Sequence, residues 1–234
     1  MNSLNRIAKL GAPLALAVLI GACASSGSEP QLPAQTEDGL VRVENTKAEA
    51  VYRHPDANLG VYSRVYLVDA EVAFRKNWLQ DQNRDASTLS SRLTQDDADR
   101  IKAAVATEFR RIFTEELEKG GYPVVETLKS DTSNEDLLVL VPAIVNLDVT
   151  APDTRSPGRT NTYTTSNGSM TLYLEFKDAI TGALLGKVAD SKTVRDRGYM
   201  CITNSVTNKA EADRMLRGWA RLLVAGLDKA HGRG

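Results

Sequence analysis

The run Leu137 to Val149, LLVLVPAIVNLDV, constrains what this chain can fold into more than any other feature. A membrane-spanning helix needs about 20 apolar residues, so a run of this length is too short to cross a bilayer and has to be buried inside protein. Its β-branched content favours an extended strand in the middle of a sheet. Pro142 interrupts it, and because proline has no N–H to give to a neighbouring strand, its place is expected at an edge or a bulge. A strand this apolar requires further strands beside it and a helical layer over it.

The rest of the chain supplies both. In Gly168 to Arg195, Met170, Leu172, Leu174 and Phe176 alternate with Thr171, Tyr173, Glu175 and Lys177, the period of a half-buried strand, and Thr181-Gly182 supplies a turn. Counting back from that turn pairs Asp178 with Ala183, Glu175 with Gly186 and Asp190 with Thr171. Val61 to Phe74 reads as a strand, Arg75 to Arg92 as polar and irregular, and Tyr122 to Thr127 as a short strand. Thr94 caps a helix with Asp96, Asp97 and Asp99 in its positive first turn and Gly120-Gly121 at its end. Ala98, Ile101, Val105, Phe109, Ile112, Phe113 and Leu117 form its apolar stripe. A second helix spans Asn208 to Ala230, with Asn208 and Glu211 spaced as a capping box and a stripe of Ala212, Met215, Leu216, Trp219, Leu222, Leu223 and Leu227. The order β-α-β-β-β-β-α predicts one α+β domain, a mainly antiparallel or mixed sheet with two long amphipathic helices packed on it.

The first 22 residues are not part of that domain. Arg6 and Lys9 precede Leu10 to Ala22, an uncharged apolar stretch with the length of a signal-peptide core rather than of a membrane span. Ile20-Gly21-Ala22-Cys23 resembles the lipobox of bacterial lipoproteins, in which small residues precede the scissile bond and the cysteine thiol takes a diacylglyceryl group. The resemblance implies cleavage between Ala22 and Cys23, lipidation of Cys23 and acylation of its new amino terminus. Acyl chains hold a protein on a membrane at about 0.8 kcal/mol per buried methylene, and two already anchor stably. Ala at position 24, where Asp would favour the inner membrane, implies the outer membrane, with the domain facing the periplasm. Residues 23–39 then form the lipidated cysteine and a tether rich in Ser, Pro, Gln and Gly, and residues 40–231 the periplasmic domain. With Cys23 acylated, Cys201 is the remaining thiol; its apolar setting in Tyr199-Met200-Cys201-Ile202 fits a buried, inert residue, and an intermolecular disulfide or reactive thiol is the alternative.

No catalytic constellation emerges. Lys and Arg number 29 against 30 Asp and Glu, a net charge of −1, so there is no basic excess for a nucleic acid. His54 and His231 lie far apart without ligand spacing to a cysteine, so no metal and no cofactor is expected. Nucleophile-elbow, zincin and phosphate-loop patterns do not occur. Glu175, Asp178 and Asp190 share the hairpin. In the register counted above, however, Glu175 and the partner of Asp190 lie about 13 Å apart along the strand, beyond the roughly 5 to 9.5 Å of a glycosidase pair. The loop Asp153 to Asn167, with Arg155, Arg159 and Tyr163, is either a binding loop for an acidic partner or glycan or a polar excursion.

Four segments together resemble the domain-of-unknown-function 3313 family of Gram-negative lipoproteins, over about residues 40 to 230. They are Tyr62 to Val72, the strand Leu137 to Val149, Glu175 to Gly182 followed by Ala189-Asp190, and Trp219-Ala220 with Leu223, Leu227 and Asp228. The resemblance implies an outer-membrane lipoprotein with an α/β domain, and it brings no catalytic residue. The expectation is therefore a non-enzymatic, lipid-anchored outer-membrane protein whose periplasmic domain binds another envelope component, an envelope protein to which it would be an accessory subunit. The alternatives are a small-ligand or glycan binder and, behind it, a hydrolase with an acidic site.

Overall fold

The computed structural model describes residues 32–84, 92–128, 134–149, 162–164, 168–193, 201–203 and 205–233. Ten strands and three helices occur among them: β1 Val41–Arg42, β2 Ala50–Arg53, β3 Arg64–Leu67, β4 Glu71–Phe74, α1 Trp78–Arg84, α2 Gln95–Lys119, β5 Val124–Val125, β6 Leu137–Asp148, β7 Thr162–Thr164, β8 Ser169–Asp178, β9 Leu184–Thr193, β10 Cys201–Thr203 and α3 Ser205–Ala230. All fall in the unit Pro33–Gly234. Eight strands form one mixed sheet in the order β1-β2-β9-β8-β6-β3-β5, with β4 also on β6, and β7 and β10 form a separate antiparallel pair. The expected α+β architecture with two long helices is what the chain adopts.

The apolar run is the central strand β6, antiparallel to β8 on one side and parallel to β3 and β4 on the other. Pro142 sits in mid-strand opposite Leu174, neither at an edge nor in a bulge. Its missing N–H is felt on the other side. The Val68 amide donates to the Leu140 carbonyl at 3.0 Å, and in a parallel ladder the Val68 carbonyl would then accept from residue 142. With proline there the ladder stops. The segment read as one strand, Val61 to Phe74, therefore divides into β3 and β4, and pairing resumes at Glu71 opposite Ala143. Arg110 of α2 bridges the break, donating to the Leu67 carbonyl at 2.6 Å and to Asp69 at 2.8 Å.

Helix α2 follows its sequence signals. The Thr94 side chain accepts from the Asp97 amide, and the Asp97 carboxylate accepts from the Thr94 amide, a capping box. At the other end Gly121, at φ +83°, lets the Tyr122 amide reach the Leu117 carbonyl and its own amide the Glu118 carbonyl, a Schellman motif that buries Tyr122. Helix α3 begins at Ser205, earlier than expected, so Asn208 lies inside the helix rather than capping it. Its end repeats the Schellman pattern with Gly232 at φ +70°. There the His231 Nδ1 lies 2.8 Å from the Leu227 carbonyl, which holds His231 in the helix cap. Part of the segment read as irregular, Arg75 to Arg92, is helical: α1 buries Trp78, whose ring stacks on Phe74 at 3.7 Å between centroids.

Phe109, Ile112, Phe113 and Leu117 of α2 and Leu216, Trp219, Ala220, Leu223 and Leu227 of α3 pack on Leu138, Leu140, Ile144, Met170, Leu172, Leu174 and Phe176 of the sheet. Ala220 takes the core place that the periodicity had assigned to Leu222. Both helices thus cover the same face of the sheet, the one on which the even-numbered residues of β8 and of β6 from Leu138 to Ile144 point.

Candidate functional site

The structure does not gather the hairpin carboxylates. At the turn the Asp178 amide donates to the Ala183 carbonyl, as counted, but β9 bulges at Leu185. Beyond the bulge the register moves by one: Glu175 opposes Lys187, and Asp190 opposes Leu172 rather than Thr171. Because side chains alternate across a strand, this slip carries Asp190 to the helix-covered face while Glu175 stays on the other. The two carboxylates are separated by the sheet itself, which replaces the distance argument made from sequence.

Each of the three has a structural partner set. Asp190 is buried and accepts from the Trp219 Nε1 at 2.6 Å and from the Glu49 amide at 2.9 Å. Asp178 accepts from the amides of Ile180 and Thr181 and the hydroxyls of Thr181 and Tyr62. Burial opposes its charge, and these bonds outweigh burial and hold its carboxyl below the usual range. Burial and the neighbouring Asp178 push the Tyr62 hydroxyl up to about 12. Glu175 lies between Lys177 at 2.8 Å and Lys187 at 3.5 Å.

Lys192, two residues after Asp190, crosses Trp219 with its ammonium 5.1 Å from the ring centroid. Burial lowers its pKa, with Asp190 partly offsetting the effect. Gly218 makes the room: a β-carbon there would stand 2.6 Å from the Lys192 Nζ. Trp219, Asp190 and Lys192 together fasten α3 to β9.

Of the two histidines, His231 belongs to a cluster in which the buried Tyr122 hydroxyl donates to Asp228 at 2.9 Å and Arg233 lies 4.9 Å over the Tyr122 ring. His54 borders a shallow depression of about 460 Å³ lined by Asp38, Asp56, Ala57, Ala183, Leu184 and Leu185. Among the described residues no group of three or more His, Cys, Asp or Glu is arranged to hold a metal ion. No described helix is long and apolar enough to cross a membrane.

Ala22 and Cys23 lie outside the described residues, as do Arg155 and Arg159 of the polar loop. From that loop only Thr162–Thr164 is described; Tyr163 pairs through its backbone with Ile202, and Cys201 pairs with Thr164. The side chains of Tyr163 and Cys201 lie outside the description.

The feature that sequence reasoning did not assemble is the sheet's second face. Register aligns its residues in rows across the strands. One row runs Tyr52, Lys187, Glu175, Val141; the next runs Ala50, Ala189, Tyr173, Ala143. A third places Tyr66 beside Val139 and Lys177. Val139, Val141, Ala143 and Tyr66 are partly exposed. Tyr173, flanked by two alanines, stands proud at 49 % exposure. The alternation in β8 placed Tyr173 opposite the core, but its alanine neighbours come from strands 30 residues before and 16 after it, a pairing that no local pattern carries.

The chain joins the domain on this same face. The Tyr52 hydroxyl donates to the Pro33 carbonyl at 3.0 Å, Lys187 meets Asp38 at 2.5 Å, and Gln35 bridges to Val41. Pro33 to Gly39, the last part of the segment read as tether, therefore lies along the β1–β2–β9 side of the sheet. Leu40 directly after it is fully buried.

No protein-family model matches the chain, and no curated protein matches it. Several solved structures align at low similarity. The PelC dodecamer from Paraburkholderia phytofirmans is 13 % identical, with a TM-score of 0.38 over 74 % of this chain and 95 % of that one. A homolog of a neuraminyllactose-binding hemagglutinin from Helicobacter pylori is 11 % identical, with a TM-score of 0.40 over 72 % and 85 %. A lipoprotein from Neisseria meningitidis is 10 % identical, with a TM-score of 0.27 over 68 % and 99 %. At these scores none of them carries an argument about this chain. The resemblance to the 3313 family stands on the quoted residues alone.

Proposed function

We propose that this chain is a lipid-anchored outer-membrane protein, tethered through Cys23 and facing the periplasm, whose non-catalytic domain binds another envelope component through the face of its sheet opposite α2 and α3. Membership of the 3313 lipoprotein family belongs to this proposal. The observation that carries it is Tyr173, half exposed between Ala143 and Ala189 on a face of partly exposed valines. Tyrosine offers large contact area at low entropic cost, and such residues anchor interfaces. On this face Lys187 is matched by Asp38 and Glu175, and Lys177 by Glu175, while Glu71, in register with Ala143, is exposed.

The test places a photoreactive benzoylphenylalanine at position 173 in intact cells, with position 100 on α2 as control. Adducts to an envelope component at 173, lost when Cys23 is replaced by Ala, are expected. Equal adduct yields at 173 and 100 would overturn the assignment of the face.

A further inference from the structure

We infer that β4 pairs with β4 of a second copy of this chain, joining the two sheets edge to edge; this surface is separate from the face assigned above. Among the described residues β4 pairs with β6 alone, so its other side is a sheet edge. In a parallel ladder a residue sends its N–H and its C=O to the same neighbour, and alternate residues do so. The Arg75 amide donates to the Leu147 carbonyl at 3.1 Å, so Arg75 faces β6. The register shift in this pair puts its extra residue on β6, between Ile144 and Leu147, so β4 keeps its alternation. Glu71 and Ala73 therefore face β6 as well. Val72 and Phe74 point their backbone groups out of the sheet, with no hydrogen-bond partner among the described residues.

The residues of this edge match themselves. About a twofold axis through Ala73 and normal to the sheet, antiparallel pairing sets Val72 opposite the partner's Phe74, and Phe74 opposite the partner's Val72. Each is a hydrogen-bonded pair that exchanges both its N–H groups, so every outward amide of the two strands finds a carbonyl. Ala73 meets the partner's Ala73, and Glu71 meets the partner's Arg75. Glu71 is exposed and has no ion partner among the described residues. At the far end of the strand three cations, Arg75, Lys76 and Arg84, stand with two carboxylates, Asp81 and Asp148, one positive charge in excess. Opposite charges directly across a strand pair are favourable, and like charges are not. An axis through Val72 or Phe74 would set Glu71 against Ala73 or Asn77 and lose this match.

The helical layer leaves room for the second copy. Arg110 reaches Leu67 and Asp69 at this same edge, so the flank of α2 that carries it faces outward there. Its neighbours on that flank, one and two turns earlier, are Thr107, Ala106 and Ala103, and Thr107 and Ala103 are exposed. Small side chains allow the close helix approach that two α2 helices need above joined strands. Because the axis is normal to the sheet, both copies then turn Tyr173 to the same side.

The test uses the full chain with Cys23→Ala and Cys201→Ser, so that a cysteine placed at 73 or at 71 is its only thiol. Both positions are exposed, so neither substitution disturbs the core. In a non-hydrogen-bonded antiparallel pair the Cα atoms stand about 4.5 Å apart, within disulfide reach. The two residues at 71 would lie about 14 Å apart along the paired strands. A held contact has an effective concentration in the millimolar range, so mild oxidation at about 20 µM protein should give a disulfide-linked dimer from Ala73→Cys at least about tenfold above that from Glu71→Cys. Adding Glu71→Arg to Ala73→Cys sets like charges opposite each other and should lower the yield at least about threefold. Equal yields at 73 and 71, or no dimer at either, would overturn the inference. An unchanged yield with Glu71→Arg would overturn the register on which it rests.

Discussion

Removing the indole N–H of Trp219 while keeping an aromatic ring isolates the contact that fastens α3 to the sheet. In Trp219→Phe the buried Asp190 carboxylate loses the bond to Nε1 at 2.6 Å and keeps the Glu49 amide at 2.9 Å. A hydrogen bond to a charged group contributes about 1.5–3 kcal/mol, and orphaning a buried acceptor costs a similar amount. The smaller ring adds a modest cavity, so the variant is expected to lose about 2–3 kcal/mol. For a domain near 200 residues that lowers Tm by roughly 4–10 °C. Trp219→Ala also empties the core site of a residue that is 3 % exposed, and should cost about 3–5 kcal/mol. Urea unfolding followed by far-ultraviolet circular dichroism measures both. A double-mutant cycle with Asp190→Ala should return a coupling of about 1–2 kcal/mol, because the second substitution removes an acceptor already orphaned by the first. A loss below about 0.5 kcal/mol in Trp219→Phe, or a coupling of zero, would refute the assignment of this bond as a fastening of α3.

Gly60→Ala would bring a methyl group to 2.6 Å from the Ala230 carbonyl oxygen and should destabilise by about 1–3 kcal/mol in the same unfolding assay, whereas Gly226→Ala, in α3 with nothing within 4 Å, should stabilise by up to about 1 kcal/mol. Hydrogen bonds from Thr94 hold the Asp97 carboxyl at about 2, and bonds from Arg64 and Ser63 do the same for Asp136. Their stabilising effect is therefore present above pH 4 and lost as pH falls from 4 to 2, and Asp97→Asn and Asp136→Asn should each flatten the fall of Tm over that window. Cys23→Ala should abolish metabolic palmitate labelling and release the protein from membranes; labelling at the wild-type level would overturn the lipid anchor.

The legible parts of the fold were those whose signals are local. Thr94, the acidic first turn, the seven-residue stripe and Gly121 lie within one helix, and α2 forms as they direct. The strands β8 and β9 were legible from alternation, but their register was not, because the bulge at Leu185 answers to pairing on both sides of β9 rather than to any turn residue. The split of β3 from β4 was hidden for a related reason: its cause, Pro142, lies in another strand more than seventy residues away. Asn208 misled because a capping-box spacing also occurs inside helices, and α3 starts three residues earlier. Of the candidate site, Asp190 read as a possible acid from its place in the hairpin, and only the one-residue slip turned it toward Trp219. Tyr173 was read correctly as outward-facing, while the alanines that leave it standing are non-local.

The most direct test of the central claim is hydroxyl-radical footprinting of Tyr173 on the acylated protein in native envelopes against the soluble Cys23→Ala protein. Buried Trp219 in the same chain serves as an internal control. The account predicts that oxidation of Tyr173 falls several-fold in the envelope while Trp219 is unchanged. Equal oxidation of Tyr173 in the two states would show that the face opposite α2 and α3 is unoccupied and would contradict the account.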